Sequence, residues 1–168
     1  MKVFYSDVCL KHDPKYEILS GKFVEYLESP SRIVAIKNYL SQFRDIFEFH
    51  APSDHGLDPI LSVHDVDYVE YLQTAYVEWC NEGGDRNGVI PEAFAHKGIL
   101  NSVKNIKKVK SSLAKAGLYC FDLSCCITEG TWEAVYKSAQ ICISAAMELS
   151  KVTSEKSADN TSTGVFAL

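Results

Sequence analysis

The sequence predicts an α/β fold with a largely parallel sheet, and three observations carry that expectation. Strand-like and helix-like segments alternate along the 168 residues, the order that a parallel sheet with helical crossovers requires. The longest periodic stretch, Trp132, Val135, Tyr136, Ala139, Cys142, Ile143, Ala146 and Met147, repeats its apolar residues every 3.6 positions and must pack against a sheet or other helices. A short apolar run from Gly164 to Leu168 then restarts a strand after a polar stretch.

Taken in order, Lys2 to Asp7 opens the chain as a strand on Val3, Phe4 and Tyr5. Cys9 to Glu28 has no clean period, and Gly21 with scattered charges marks it as a long loop. Ser29-Pro30-Ser31-Arg32 announces a helix, with Ser29 as N-cap and Pro30 at the first helical position, where its missing N–H costs nothing. Ile33, Ile36, Tyr39, Leu40 and Phe43 supply its apolar face. Ile46 to Phe49 is a second strand, closed by Ala51-Pro52.

The pattern Asp67-Tyr68-Val69-Glu70 fits a capping box, and Tyr68, Leu72, Ala75, Tyr76 and Trp79 continue it as a helix. Residues Asn81 to Gly88 break that helix with a glycine-rich cluster. Residues 89–116 are the least readable, with Lys104, Lys107, Lys108, Lys110 and Lys115 in a segment of weak apolar content. That segment is either a solvated helix face or a projection that meets an acidic partner or another subunit. Lys151 to Thr163 is polar and loop-like before the strand at Gly164.

Composition narrows the function. A hydrophobic share of 46% with 23% charged residues is that of a globular domain, and the length suffices for one domain that buries most of its apolar surface. Net charge -5 argues against general binding of nucleic acid or anionic membranes. No apolar stretch approaches the roughly 18 residues that span a bilayer. The opening residues lack the long apolar region of a secretory signal, so the expected compartment is the cytoplasm.

Cys9, Cys80, Cys120, Cys125, Cys126 and Cys142 follow no C-x-x-C spacing and read as reduced, mostly buried thiols. His50, His55 and His64 match no helical ligand pair and are expected to be structural or exposed.

Three stretches carry a further signal. The first is Ser20-Gly21-Lys22-Phe23-Val24 with Glu28-Ser29-Pro30-Ser31-Arg32. The second is His55-Gly56-Leu57 with Val63-His64-Asp65-Val66-Asp67-Tyr68, continuing to Leu72, and Trp79 downstream. The third is Gly117-Leu118-Tyr119-Cys120 with Thr128-Glu129-Gly130-Thr131-Trp132-Glu133-Ala134. Together and in this order they resemble the amino-terminal half of the zinc-dependent deacetylase superfamily, in particular bacterial acetylpolyamine amidohydrolases and their histone-deacetylase relatives. The first stretch looks like the family's first active-site loop, and the second like its "HD-x-x-Y" helix entrance.

The resemblance implies a three-layer arginase/deacetylase-like fold with a mainly parallel sheet, of which residues 1–168 would be an incomplete, amino-terminal part of one domain. In that family a Gly-x-x-Ala-Leu strand leads into a tandem-histidine motif, and this sequence stops just before the motif would begin. The family's acid/base histidines, its zinc ligands and its oxyanion-stabilising tyrosine all follow that point. The chemistry is a zinc-activated water attacking an acetamide carbonyl. No catalytic or metal residue of that set has a counterpart here, so the chain alone is expected to be inactive and to bind no zinc.

What the resemblance does transfer is the rim of the site. Gly21 to Tyr26 would lie beside the pocket mouth, with Phe23 either contacting the substrate's methylenes or packing under its own loop. Family members often place an acidic residue near Asp122 to Thr128; aligned on Thr128-Glu129-Gly130, that place holds Ser124, with Asp122 two residues earlier. A neutral serine attracts a cationic amine far less than a carboxylate does. Residues 83–116 correspond to an insertion that takes part in dimer contact in the acetylpolyamine enzymes, and lysines there would repel a polycation unless they face solvent or an acidic neighbour.

Expected partners are therefore an acetylated amine substrate in the intact enzyme and a second copy or a complementary carboxy-terminal half. The competing class is a binding or assembly module that docks through the lysine-rich segment and the strand at Val165 to Leu168. A flavodoxin-like domain is disfavoured, because no glycine-rich phosphate loop follows the first strand.

Overall fold

The structure is a computed structural model that describes residues 1–96, 100, 109–124, 126–155 and 164–168. In chain order its elements are β1 (Lys2–Phe4), a 3-10 helix (Asp7–Lys11), β2 (Tyr16–Leu19), β3 (Lys22–Glu25), α1 (Ser31–Leu40), β4 (Glu48–His50), α2 (Asp58–Leu61), α3 (Val66–Asn81), α4 (Ser112–Tyr119), α5 (Thr131–Glu155) and β5 (Val165–Ala167). They fall into two compact units. One holds Met1–Lys11, Glu28–Ile60 and Glu133–Leu168, the other His12–Leu27 and Leu61–Trp132.

The first unit is built on a parallel sheet of order β4-β1-β5. Val3, paired with Phe49 on one side and Phe166 on the other, is wholly buried at its centre. The ladder runs on past the strands, since Tyr5 N–H donates to the His50 carbonyl at 3.0 Å and Leu168 N–H to the Phe4 carbonyl at 3.0 Å. Alternation along β1 separates Lys2 from Tyr5. Lys2 pairs with Glu148 of α5, and the Tyr5 ring lies 4.2 Å from the Lys37 ammonium of α1. The two helices thus cover opposite faces of the sheet, and the strand expected at Gly164 is confirmed as parallel β5.

Helix α5 exists as the periodicity predicts, but the face it buries is different. Ala134, Ile141 and Ala145 are buried together with two polar residues, Gln140 at 0% exposure and Ser144. Gln140 accepts the His55 N–H at 2.7 Å and donates to the Gly56 carbonyl at 3.2 Å. Ser144 accepts the Ser53 N–H at 3.1 Å and lies 2.9 Å from His55 Nε2, while the Tyr136 hydroxyl donates to Asp54 at 2.5 Å. Residues 136, 140 and 144 stand one turn apart and hold the loop 53–56 by hydrogen bonds. Much of the apolar stripe consequently faces outward: Val135 is 40% exposed and Met147 47%.

In the second unit, Cys9 to Glu28 proves not to be a loop throughout. Its centre is an antiparallel hairpin with Ile18 opposite Phe23 and Leu19 opposite Lys22. Ser20 and Gly21 both have positive φ, 51° and 74°, the turn geometry that matches strand twist in a two-residue connection. The unit's core joins Tyr71 and Ala75 of α3, Ala116 of α4, and the bridged pair Val89 and Ile127.

Both predicted helix starts shift. Helix α1 begins at Ser31 after Pro30, with no side-chain cap bond, and the Ser29 hydroxyl pairs with that of Ser31 at 2.6 Å. Helix α3 begins at Val66 with Asp65 as N-cap, so Asp67 and Glu70 form no capping box. The Asp67 carboxylate instead accepts the Tyr68 N–H at 3.1 Å and the Tyr119 hydroxyl at 3.0 Å.

Candidate functional site

Hairpin β2–β3 gathers the residues that the sequence places at a rim. Phe23 projects from β3 with 69% of its surface exposed, its ring edge-on to Tyr16 at 6.4 Å, so it does not pack beneath its own loop. Its register partner Ile18 donates its N–H to the Leu123 carbonyl at 3.3 Å. That bond brings the loop carrying Asp122 and Ser124 against the hairpin. Asp122 accepts the Ser124 N–H at 3.0 Å, an aspartate turn in which one carboxylate oxygen is already engaged.

Next to Phe23 lies a pocket of 270 Å³ lined by Tyr16, Phe23, Asp85, Asn87, Gly88, Ile90 and Cys126. Asp122 and Ser124 are not among its walls. Gly88 is obligatory there, because it sits at φ 143° and a Cβ on it would lie 2.2 Å from Cys126 Sγ. The turn 85–88 is tied down on the other side, where the Asp85 carbonyl accepts the Trp79 indole N–H at 3.0 Å and the Arg86 carbonyl accepts the Tyr76 hydroxyl at 3.0 Å. These wall residues are absent from the sequence-based site. The only local signal was Asn87-Gly88, which reads as a helix breaker.

His12 anchors the hairpin's base. Its Nδ1 is 2.8 Å from the Thr131 hydroxyl and its Nε2 3.3 Å from the Tyr26 hydroxyl, with the Tyr26 ring edge-on. Burial holds its pKa below 6.5, against a smaller opposing pull from Asp13. Thr131 also accepts the Thr128 N–H at 2.8 Å.

A second pocket, of 420 Å³, lies between α3 and α4 and includes Asp67, Glu70, Tyr71, Lys115 and Tyr119. Burial and then the Asp67 hydrogen bond push the Tyr119 phenol up to about 12. Lys115 pairs with Glu78 at 2.5 Å, so this lysine of the 83–116 segment meets an acidic neighbour. Lys110 is exposed. Lys104, Lys107 and Lys108, and likewise Cys125, lie outside the described residues.

The described cysteines are free thiols. Cys126 is buried, Cys9, Cys80 and Cys120 are half-buried, and Cys142 is exposed, against the expectation of general burial. Burial is the main cause that pushes the Cys9 thiol up. Among the described residues no three side chains of His, Cys, Asp or Glu are placed to hold a metal ion, so these residues do not fit the zinc site that the resemblance implies for the intact enzyme. No helix among them is long and apolar enough to cross a membrane.

Comparison with known proteins gives a consistent relationship. No protein-family model matches the chain. It is 31% identical over 150 residues to acetylpolyamine amidohydrolase 2 of Pseudomonas aeruginosa, covering 89% of this chain and 41% of that protein. It is 32% identical over 155 residues to acetylpolyamine amidohydrolase 1 of the same organism, covering 84% of this chain and 39% of the relative. The crystal structure of acetylpolyamine aminohydrolase from Burkholderia pseudomallei superposes with a TM-score of 0.74 at 26% identity, over 90% of this chain and 42% of that one. The chain thus spans about two fifths of the length of these relatives. It belongs to the acetylpolyamine amidohydrolase and histone deacetylase superfamily, and its α/β elements are part of the arginase/deacetylase fold.

Proposed function

We propose that this chain is the amino-terminal part of an amidohydrolase that removes acetyl groups from acetylated amines, and that it supplies the rim of the substrate site rather than its chemistry. The observation that carries this reading is the hairpin: Phe23, exposed on β3, shares a wall with an aromatic and aliphatic pocket, and the Asp122–Ser124 loop is bonded against the same strand pair. The match to acetylpolyamine amidohydrolases supports the substrate class. The sequence contains no adjacent histidine pair, and we take acid/base catalysis and zinc to belong to other parts of the intact enzyme. There zinc would polarise the acetamide carbonyl and activate the attacking water.

A deacetylation assay on the purified 168-residue chain, with acetylpolyamine and acetyl-lysine substrates, tests the division of labour. No turnover is expected from the chain alone, and turnover is expected when it is co-expressed with the segment of a relative that carries the tandem histidines. Zinc-dependent hydrolysis by the chain alone, abolished by a chelator, would contradict the proposal.

A second reading, an assembly module that pairs with a complementary half or another subunit, is favoured by the outward apolar stripe of α5 and by the position of β5 at the end of its sheet. An edge strand is a template for pairing. The two readings are compatible when the partner is the rest of the enzyme.

A further inference from the structure

We propose that Asp85 is the carboxylate that recognises the distal ammonium of an acetylated alkylamine at the hairpin pocket, a role that rests on the deacetylase reading. The loop where the resemblance leads one to look for such a charge does not offer it. Ser124 is neutral, and the Asp122 carboxylate is drawn into its own turn by the Ser124 N–H, outside the pocket wall. Asp85 does line the pocket, together with Phe23 and Tyr16.

Its placement is fixed from several sides. Asp85 Oδ1 accepts the Asn87 backbone N–H at 2.8 Å and the Asn87 side-chain amide at 2.9 Å. Its backbone carbonyl accepts the Trp79 indole at 3.0 Å and the Gly88 N–H at 3.2 Å. A carboxylate held this way is presented to a ligand with little further ordering cost. The bonds to Asn87 come from neutral donors, so they orient the charge without cancelling it.

The rest of the wall is apolar, with the rings of Tyr16 and Phe23, Ile90 and the buried Cys126. Such a lining takes up methylenes, and aromatic rings near a cation add their own attraction. A ligand that satisfies both parts is an alkyl chain ending in an ammonium. A neutral alkylamide of the same length fills the apolar part but leaves the Asp85 carboxylate partly desolvated with no cation beside it. Discrimination by a polar group in the wall is stronger than discrimination by shape alone.

The test is a binding comparison on the 168-residue chain, read by calorimetry and amide chemical shifts. N-acetyl-1,4-diaminobutane is expected to bind about tenfold or more tightly than N-butylacetamide at low salt, the preference shrinking as salt rises. Asp85→Asn should bring the charged ligand down to the level of the neutral one, and Phe23→Ala should weaken both alike. Equal binding of the two ligands by the native chain, or a preference that survives Asp85→Asn, would overturn the proposal. If Asp85→Asn does not fold, the native chain still decides: shifts from the charged ligand must fall on residues 16, 23 and 85–88, and shifts confined elsewhere overturn it. Binding needs no turnover, so the two readings fail separately. Charge-selective binding with no turnover in the co-expression assay would sink the deacetylase reading alone, and turnover without charge preference would sink only the role of Asp85.

Discussion

At the scale of single residues, His12 shows how a group with no part in chemistry can govern the rim. A neutral imidazole accepts at one nitrogen and donates at the other, which suits the two hydroxyls of Thr131 and Tyr26. Protonation makes both nitrogens donors and adds charge where burial already opposes it. Because burial sets the folded pKa below 6.5, the stability that His12 contributes is fully present above pH 6.5 and is lost as pH falls through the lower folded value. Urea midpoints measured from pH 7.5 down to pH 5 should therefore fall more steeply for the native chain than for His12→Gln, since carboxylates common to both cancel in the difference. Parallel curves would show that the imidazole titrates as it would in the unfolded chain.

Single residues also explain why the site was only half legible. Phe23 could be placed at a rim because it sits in a motif, Ser20 to Val24, that resembles a known loop. Asp85 could not, because its significance depends on a hairpin about sixty positions earlier folding beside it, and no spacing rule expresses that.

At the scale of elements, legibility followed whether burial is apolar. Helices α1 and α3 were readable because their apolar residues recur at helical spacing, and β1 and β5 because they are short apolar runs. The hairpin was missed because Tyr16, Leu19 and Phe23 all face outward, so no buried alternating face marks the strands. Ser20-Gly21 between two apolar pairs was the usable signal. For α5 the period was right and the face wrong, since hydropathy cannot register that Gln140 and Ser144 are buried to bind a loop backbone.

Capping shows a similar displacement. The N-cap Ser111 makes no side-chain bond to α4, and the carboxylate of Glu82, at the end of α3, takes over that task. It accepts the Ser112 N–H at 2.9 Å and the Ser112 hydroxyl at 2.8 Å, and that backbone bond is the largest cause holding its pKa below the usual carboxylate range. A negative charge at a helix N-terminus also meets the positive end of the helix dipole. Glu82→Gln should reduce hydrogen-exchange protection in α4 while leaving mid-helix amides of α3 unchanged. Equal protection in both helices would mean that packing on Ala116, not the carboxylate, sets the start of α4.

At the scale of the whole molecule, the question is how much apolar surface the chain leaves to water. Val135, Cys142, Ala146 and Leu149 are all exposed and lie on one side of α5 by helical spacing. Phe121, at 88% exposure, and Phe23 add exposed aromatic surface in the second unit. Scattered apolar side chains on a surface are ordinary, whereas a continuous stripe marks a contact site. The resemblance supplies a reason, since in a chain that spans two fifths of its relatives a helix face can be shaped for segments found in the rest of such an enzyme. The isolated chain should therefore self-associate, with sedimentation coefficients that rise with concentration. Val135→Lys combined with Leu149→Lys should suppress the association by placing charge on the stripe, while leaving the buried residues Ala134, Ile141 and Ala145 untouched and the melting transition close to native. A native chain that sediments as one monomeric species at every concentration would show that the stripe is tolerated by water, and would remove its support for the assembly reading. Association that persists unchanged in the double variant would move the contact elsewhere, with the exposed aromatics of the second unit as the next surface to charge.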